Sequence, residues 1–451
     1  MYLGYKTHKM DKEPLKFTDS FNYDHYVWQN TNLEKIQEEA AFPDYYDLYR
    51  SVSISTLKNW EPVNSWYDQI TYQKTDLTYE VKAILDTLID AGMTDEQKVQ
   101  TIYNYITTKI RYSYVPFLNT RFVPKWAGNT ISAGIGDCKD VATLMITMLK
   151  AQGIEAYYTL VKTNHFNRLE TVPSMSFDHV IVCYISDGKR YYCDLTTNFY
   201  PLNVLPEMDN NAIGLLIKPG ENEIFYLPND LTDANKTNSK YIINAELMTD
   251  RDIKLEVNAE YTGTAAGNLR EQIFRTSQNK YSDFVSNYFG QDVFETSIYE
   301  TVDFVNLNDF TKPLKVNYEL TGKGFADKVS GLYILRMPYL ESIKKNPAII
   351  EINRTNRVDL EKVLNVYPSE QIINLKIPAG YKLAELPQNI NHSSGFSQYN
   401  VTFKQTSGGL QIIKKQKFAK TIIEIDEFES FKKDYLELLD LDKFKIALVK
   451  K

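Results

Sequence analysis

Gly136-Asp137-Cys138-Lys139-Asp140, running on into Val141, Leu144, Met145, Met148 and Leu149, is the stretch on which the fold turns. From Val141 the apolar positions recur at i, i+3, i+4, i+7 and i+8, the stripe of a helix lying on a core. Asp137 is a good N-cap and Gly153, after the last apolar turn, a good helix stop. Cys138 is therefore expected in the first helical turn, where unpaired backbone N–H groups and the helix dipole favour an anion. A thiol placed there loses its proton more easily, and the thiolate is the nucleophilic form.

Downstream of this helix the sequence reads as strands: Tyr157 to Val161, His179 to Ile185 and Arg190 to Thr196, with Asp187-Gly188 as the hairpin turn between the last two. A two-residue turn there sets Ser186 opposite Lys189 and Asp194 opposite Ile181. Asp194 then shares a face with His179, two residues from Ile181, and the pair become diagonal neighbours within side-chain reach. A carboxylate that orients an imidazole in this way, next to a cysteine at a helix start, is the arrangement of a Cys–His–Asp acyl-transfer site. The candidate site residues are Cys138, His179 and Asp194. The same register puts Cys183 on the His179 face and Cys193 on the other, so no disulfide is expected between them and both read as core residues.

Other groups compete for the same roles. His165 sits in a polar loop with no strand to hold it, and His8, His25 and His392 lie in remote segments. Asp178 should point away from His179, and Lys139 and Asp140 read as solvated first-turn residues. The backbone N–H of Cys138 is one candidate oxyanion donor, with Tyr112, Tyr114 and Trp126 in the preceding segment as candidates to supply a second. No phosphate-loop pattern follows the glycine spacings, and Cys138 and His179 have no partners at metal-ligand spacing, so neither cofactor nor metal is expected.

Outward from this core, Thr94-Asp95-Glu96-Gln97 is a capping box that opens a helix through Val99, Ile102, Tyr103, Ile106 and Ile110, ending near Arg111-Tyr112. The first residues are aromatic and irregular. Beyond Asn235 alternating strands take over, interrupted by a helix over about 269–288, and a last helix is expected near 427–439 before a final strand at 444–449. The expected division is 1–59, 60–232 and 233–451, the last with one or two sub-domains.

The chain has 451 residues, 43% hydrophobic and 24% charged, ordinary for a globular protein with a sizeable core. On a prior of roughly 150 residues each, it should hold about three domains. A formal net charge of −7, with no basic stripe, argues against a nucleic-acid partner. No apolar run approaches a membrane span, the N-terminal residues do not read as a signal peptide, and three cysteines cannot form a disulfide framework.

Gly136-Asp137-Cys138-Lys139-Asp140, His179-Val180 and Asp194-Leu195-Thr196 together resemble the transglutaminase-like superfamily, whose bacterial members carry Gly-x-Cys-x-Asp, His-Val and Asp-x-Thr in this order. Ala151-Gln152-Gly153-Ile154-Glu155-Ala156 and the capped helix ending at Ile110-Arg111-Tyr112 match as well. The resemblance covers about 60–220. It implies an α+β fold: a papain-like transglutaminase core, with the nucleophile helix packed on an antiparallel β-meander. The flanks look like those of a bacterial multidomain subgroup, with a partial N-terminal β-sandwich remnant over 1–59, joined through Trp28, Trp60 and Trp66-Tyr67, and a β-rich C-terminal region over 233–451. Members of this subgroup are exported, which implies a periplasmic or cell-surface location and a chain that begins inside a longer product.

What the resemblance implies chemically is a Cys138 thiolate, His179 as general base and acid, and Asp194 holding His179. The expected activity is attack on an amide of a protein or peptide substrate through a Cys thioester, with hydrolysis (peptidase or amidase) favoured over amine transfer. The alternatives are a protein-glutamine transglutaminase and a non-catalytic cell-envelope peptide-binding or scaffold protein. The sequence does not specify an oligomeric state.

Overall fold

The computed structural model describes every residue except 1, 11, 31–34, 36–38, 43–47, 115–121, 165–171, 234, 249, 286–287, 289–296 and 351–352; for 282 and 297–300 it describes the backbone alone. The chain divides into two compact units. One is built from residues 1–198 with 208–228, the other from 199–207 with 229–451.

In the first unit, three helices, Glu61–Thr71, Tyr79–Leu88 and Asp95–Lys109, precede the Cys138 region. Asp95–Lys109 opens on the capping box read from the sequence, Thr94 accepting from Gln97 N–H while the Gln97 side chain accepts from Thr94 N–H. It ends two residues earlier than expected. Arg111 and Tyr112 instead form a short parallel bridge with Ile135 and Gly136, because Arg111 N–H donates to Gly134 and Ser113 N–H to Gly136. Between the two halves of that bridge lies a short helix, Ala127–Ala133, within the stretch 115–136 whose Pro, Gly and Asn content reads as loop in the sequence.

The Cys138 helix spans Cys138–Ala151. At its far end Gly153 takes φ +76°, Gly153 N–H donates to Lys150 and Ile154 N–H to Leu149. That is the Schellman stop, in which glycine adopts the left-handed conformation without steric cost. Val141, Leu144, Met145, Met148 and Leu149 are all buried. The helix lies on an antiparallel sheet whose strands stand in the order Ile224–Tyr226, Ile213–Leu216, Ala156–Lys162, His179–Ser186, Lys189–Cys193. Asn64, buried on the first helix of the three, closes the sheet's rim by donating to the carbonyls of Leu216, Lys218 and Glu221.

In the second unit an eight-stranded sheet runs Ser297–Val305, Leu314–Gly322, Ile253–Thr262, Asn238–Leu247, Ser369–Lys376, Gly409–Phe418, Ser397–Gln405, Ile390–Ser393. Only the contact of Asn238–Leu247 with Ser369–Lys376 is parallel among these pairings. A smaller sheet joins Ala326–Val329, Leu332–Arg336, Lys445–Lys450 and Tyr381–Leu383. The helix expected over 269–288 begins earlier, at Gly263, and breaks after Arg275, with a separate short helix, Tyr281–Val285, in the rest of that range. The small buried residues Thr264, Ala265 and Ala266 make the first turn of the longer helix, where no large apolar residue marks the pattern. The last helix, Phe428–Asp442, and the last strand, Lys445–Lys450, stand close to where the sequence placed them. The described residues thus form a mixed α+β fold with a β-rich C-terminal region.

Candidate active site

Asp137 caps the Cys138 helix in a reciprocal box: its side chain accepts from Asp140 N–H, and the Asp140 side chain accepts from Asp137 N–H, each at 3.3 Å. This leaves Cys138 as the first helical residue, its backbone N–H among those with no helical acceptor. The flanking charges are not solvated, contrary to the sequence expectation. Lys139 is buried in an ion pair with Asp137, and Asp140 is buried against Lys125, whose N–H and ammonium both donate to it at 2.8 Å. Both carboxylates are held by the backbone they cap; Lys139 follows Asp137 inward, whereas Lys125 reaches Asp140 from the exposed surface.

The hairpin supplies the other two residues. Ser186 pairs with Lys189 and Val182 with Cys193, and the turn residues Asp187 and Gly188 take φ +49° and +71°. Both central residues of a type I′ turn have positive φ, so the two-residue connection assumed from the sequence is the one formed. The ladder stops at Cys193, and Asp194 emerges beside His179. His179 Nε2 lies 3.2 Å from Asp194 Oδ2. Thr196 N–H donates to Asp194 Oδ1 at 2.8 Å and its hydroxyl to Oδ2 at 2.9 Å, which fixes the carboxylate. With Nε2 engaged by Asp194, Nδ1 is the ring nitrogen left to serve the Cys138 thiol, which stands within hydrogen-bonding reach of the ring.

Burial acts to lower the basicity of His179, but the Asp194 charge and the hydrogen bonds from Asp194 and Cys138 outweigh it and raise its pKa well above the ordinary histidine range. Burial acts to raise Asp194, and His179 and Thr196 overcome it, so this carboxyl stays below the usual range. Cys183 and Cys193 are buried elsewhere in the sheet; burial pushes the Cys183 thiol up to about 12 and holds Cys193 well above its ordinary value. They remain protonated core residues, as their register implied, with Cys193 packed 3.6 Å from the Met145 sulfur.

The remaining candidates fall into place. Tyr112 lies close enough to Cys138 and Asp194 for their charges, after burial, to raise its phenol. Tyr114 is exposed, and Trp126 precedes the Ala127–Ala133 helix with the Lys74 ammonium over its ring. Asp178 turns away to accept from Thr163 N–H and hydroxyl. His25 pairs with Asp19 and His392 with Asp434, while His165 lies outside the described residues.

One residue of this neighbourhood was not foreseen. Asp209, in a turn before the Ile213–Leu216 strand, is fully buried, and one of its oxygens lies within 4.8 Å of the His179 and Asp194 ligand atoms. In the sequence it is one polar residue in Asp209-Asn210-Asn211, an ordinary turn signal. Two carboxylates and an imidazole are a possible cation donor set. Here, though, the imidazole Nε2 already meets Asp194, and Thr196 takes further lone pairs of that carboxylate, so the group is connected as an acid–base network.

Residues 82–192 match the transglutaminase-like superfamily, and residues 330–448 match a domain of unknown function, DUF3858. Among solved structures, one titled a "putative protease" from Parabacteroides distasonis superposes with a TM-score of 0.58 at 12% identity, covering 99% of this chain and 70% of that one. At this identity the likeness is one of fold. No curated protein matches the sequence. The segment that matches the transglutaminase-like superfamily is thus the one that holds Cys138 at its helix start and His179 on its edge hairpin.

Proposed function

We propose that this protein is a thiol hydrolase acting on amide bonds of proteins or peptides, with Cys138 as nucleophile, His179 as proton carrier and Asp194 as the residue that orients it. The observation that carries this reading is the continuous path from a thiol at a helix N-terminus to an imidazole to a buried carboxylate fixed by Thr196.

In the forward half-reaction Cys138 Sγ bonds to the substrate carbonyl carbon as His179 takes the thiol proton. The backbone N–H of Cys138 faces the developing oxyanion. The C–N bond then breaks, and His179 returns the proton to the departing amine, leaving a Cys138 thioester. Water, deprotonated by His179, attacks that thioester; the carboxylic acid leaves and the thiol is restored. An amine in place of water would give cross-linking by the same steps. We favour water, in line with the name given to the structural neighbour from Parabacteroides distasonis.

The test offers the protein a quenched-fluorescent peptide library and, separately, a glutamine-rich protein with a fluorescent primary amine. The expected result is peptide cleavage lost in Cys138→Ala and His179→Ala, with little amine incorporation. Incorporation exceeding cleavage would replace the hydrolase by a transglutaminase. Peptide binding of equal strength in the wild type and Cys138→Ala, with no turnover in either, would favour a binding protein.

A further inference from the structure

The position of Asp209 is fixed by its backbone. Asn164 N–H donates to Met208 at 2.8 Å, the Asn164 side-chain amide donates to Asn210 at 2.6 Å, and Ala212 N–H donates to Asp209 itself at 3.1 Å. The segment 208–212 is thereby tied to the end of the Ala156–Lys162 strand, which pairs directly with the His179 strand of the hairpin. Its side chain is 0% exposed, and among the described residues no N–H or O–H reaches either carboxyl oxygen. What does stand near is the His179 ring and the Asp194 carboxylate. An ionised carboxylate left without a donor in the interior is among the costliest arrangements a fold can contain. A protonated one needs only an acceptor, and Asp194 is that acceptor.

We propose that Asp209 is a positioning residue of the thiol site: a neutral carboxylic acid whose O–H is donated to Asp194, extending the chain Cys138–His179–Asp194 by one hydrogen bond. Asp194 then carries the only negative charge of the pair and is held by His179, Thr196 and Asp209 together. This rests on the thiol–imidazole reading above and adds a fourth member to it.

The surroundings agree with a neutral Asp209. Burial raises its pKa well above the usual carboxylate range; the His179 charge opposes this, and Asp194 and Asp178 add to it. Among the described residues those three are the charged groups that act on it most strongly. Asp178 is itself occupied by Thr163. Lys162, buried on the adjacent strand, pairs across with Ile213, whereas His179 pairs with Val161, so the pleat sets Lys162 on the opposite face of the sheet.

Two near-isosteric variants in the full chain test the assignment. Asp209→Asn keeps volume, neutrality and a donor; Asp209→Leu keeps volume alone. The readouts are the rate of Cys138 alkylation by iodoacetamide and the titration midpoint of the His179 ring, followed by NMR with carbon-13-labelled histidine. Asp209→Asn is expected to react within about twofold of wild type and to leave the His179 midpoint within about 0.3 pH unit, whereas Asp209→Leu reacts at least about tenfold more slowly. A fall of the midpoint by about a unit or more in Asp209→Asn would show that a negative charge had been removed and would overturn the neutral acid. Equal rates for Leu and Asn would reduce Asp209 to a filler of space and overturn it too, as would failure of Asp209→Asn to fold. If Asp209→Leu does not fold, the Asn midpoint alone decides. His179→Ala separates the two levels. Cys138 reactivity indifferent to His179 overturns the hydrolase reading, whereas reactivity that depends on His179 with the Asn or Leu outcomes just named overturns Asp209 alone.

Discussion

Asp194 gathers three donors, the His179 ring and the amide and hydroxyl of Thr196, and its place at the end of a strand lets all of them reach it. Thr196 lies two residues on, so the carboxylate is held by its own turn as well as by the neighbouring strand. Asp194→Asn should therefore fold, since its carbonyl can still accept from Thr196 N–H, but it should lower turnover on the order of 10²-fold or more by loosening and misorienting His179. Assay of the variant on a cleaved peptide checks this; a near-wild-type rate would remove Asp194 from the mechanism. The same pair sets a pH window for stability. His179 is raised in the fold, so its contribution is complete below its unfolded value of about 6.5 and fades as pH rises through the folded value. Asp194 is lowered, so its contribution is complete above about 3.9 and fades as pH falls. The melting-temperature gap between wild type and Asp194→Asn should thus be widest between about pH 4 and 6.5 and narrow on either side.

At the level of elements, the Cys138 helix is defined by its two ends, and each end makes its own demand on glycine. At Gly153 the demand is conformational: φ is +76° and nothing lies within 4 Å of a Cβ placed there. Gly153→Ala should cost roughly 1–2 kcal/mol of stability and leave Cys138 chemistry alone. At Gly136 the demand is spatial, because a Cβ would stand 2.8 Å from Asp140 Cβ and 3.1 Å from Thr130 Cγ2. Gly136→Ala should lower stability by about 1–3 kcal/mol and, by pushing Asp140 out of the capping box, also slow Cys138 alkylation. Thermal melts paired with alkylation rates separate the two cases. Equal alkylation in both variants would show that the box does not position the thiol. The sequence foretold these ends and the hairpin because caps and type I′ turns are local chemistry. It misjudged the short Ala127–Ala133 helix and the start of the Gly263–Arg275 helix because small residues such as Gly, Ala and Thr carry little periodic signal.

At the scale of the whole molecule, the C-terminal unit is held in part by charge inside its core. Lys414 is 0% exposed; its ammonium donates to Asp442 and to the Glu341 carbonyl, each at 2.6 Å, and lies 4.3 Å from the centre of the Tyr339 ring. Asp442 also accepts from Tyr399 hydroxyl and Ile343 N–H. Lys414→Met should destabilise by about 3–5 kcal/mol, because Asp442 is left as a buried anion, and Lys414→Met with Asp442→Asn should recover part of the loss. Urea unfolding of the single and double variants measures both, and an undiminished loss in the double variant would show that packing, not the stranded charge, sets the cost. Nothing in the sequence near Lys414 marked it as a core cation, since its strand reads as alternating residues and its partner lies at the end of a distant helix.

That contrast holds throughout. The periodicity, caps and turn of residues 136–196 were enough to specify a thiol helix, a hairpin and the register that brings His179 to Asp194, because each of these depends on residues close in sequence. Which charges go inside was decided only in three dimensions. Asp140, Lys414 and above all Asp209 are polar residues whose burial depends on partners or neighbours supplied by other segments, and a linear pattern cannot show them.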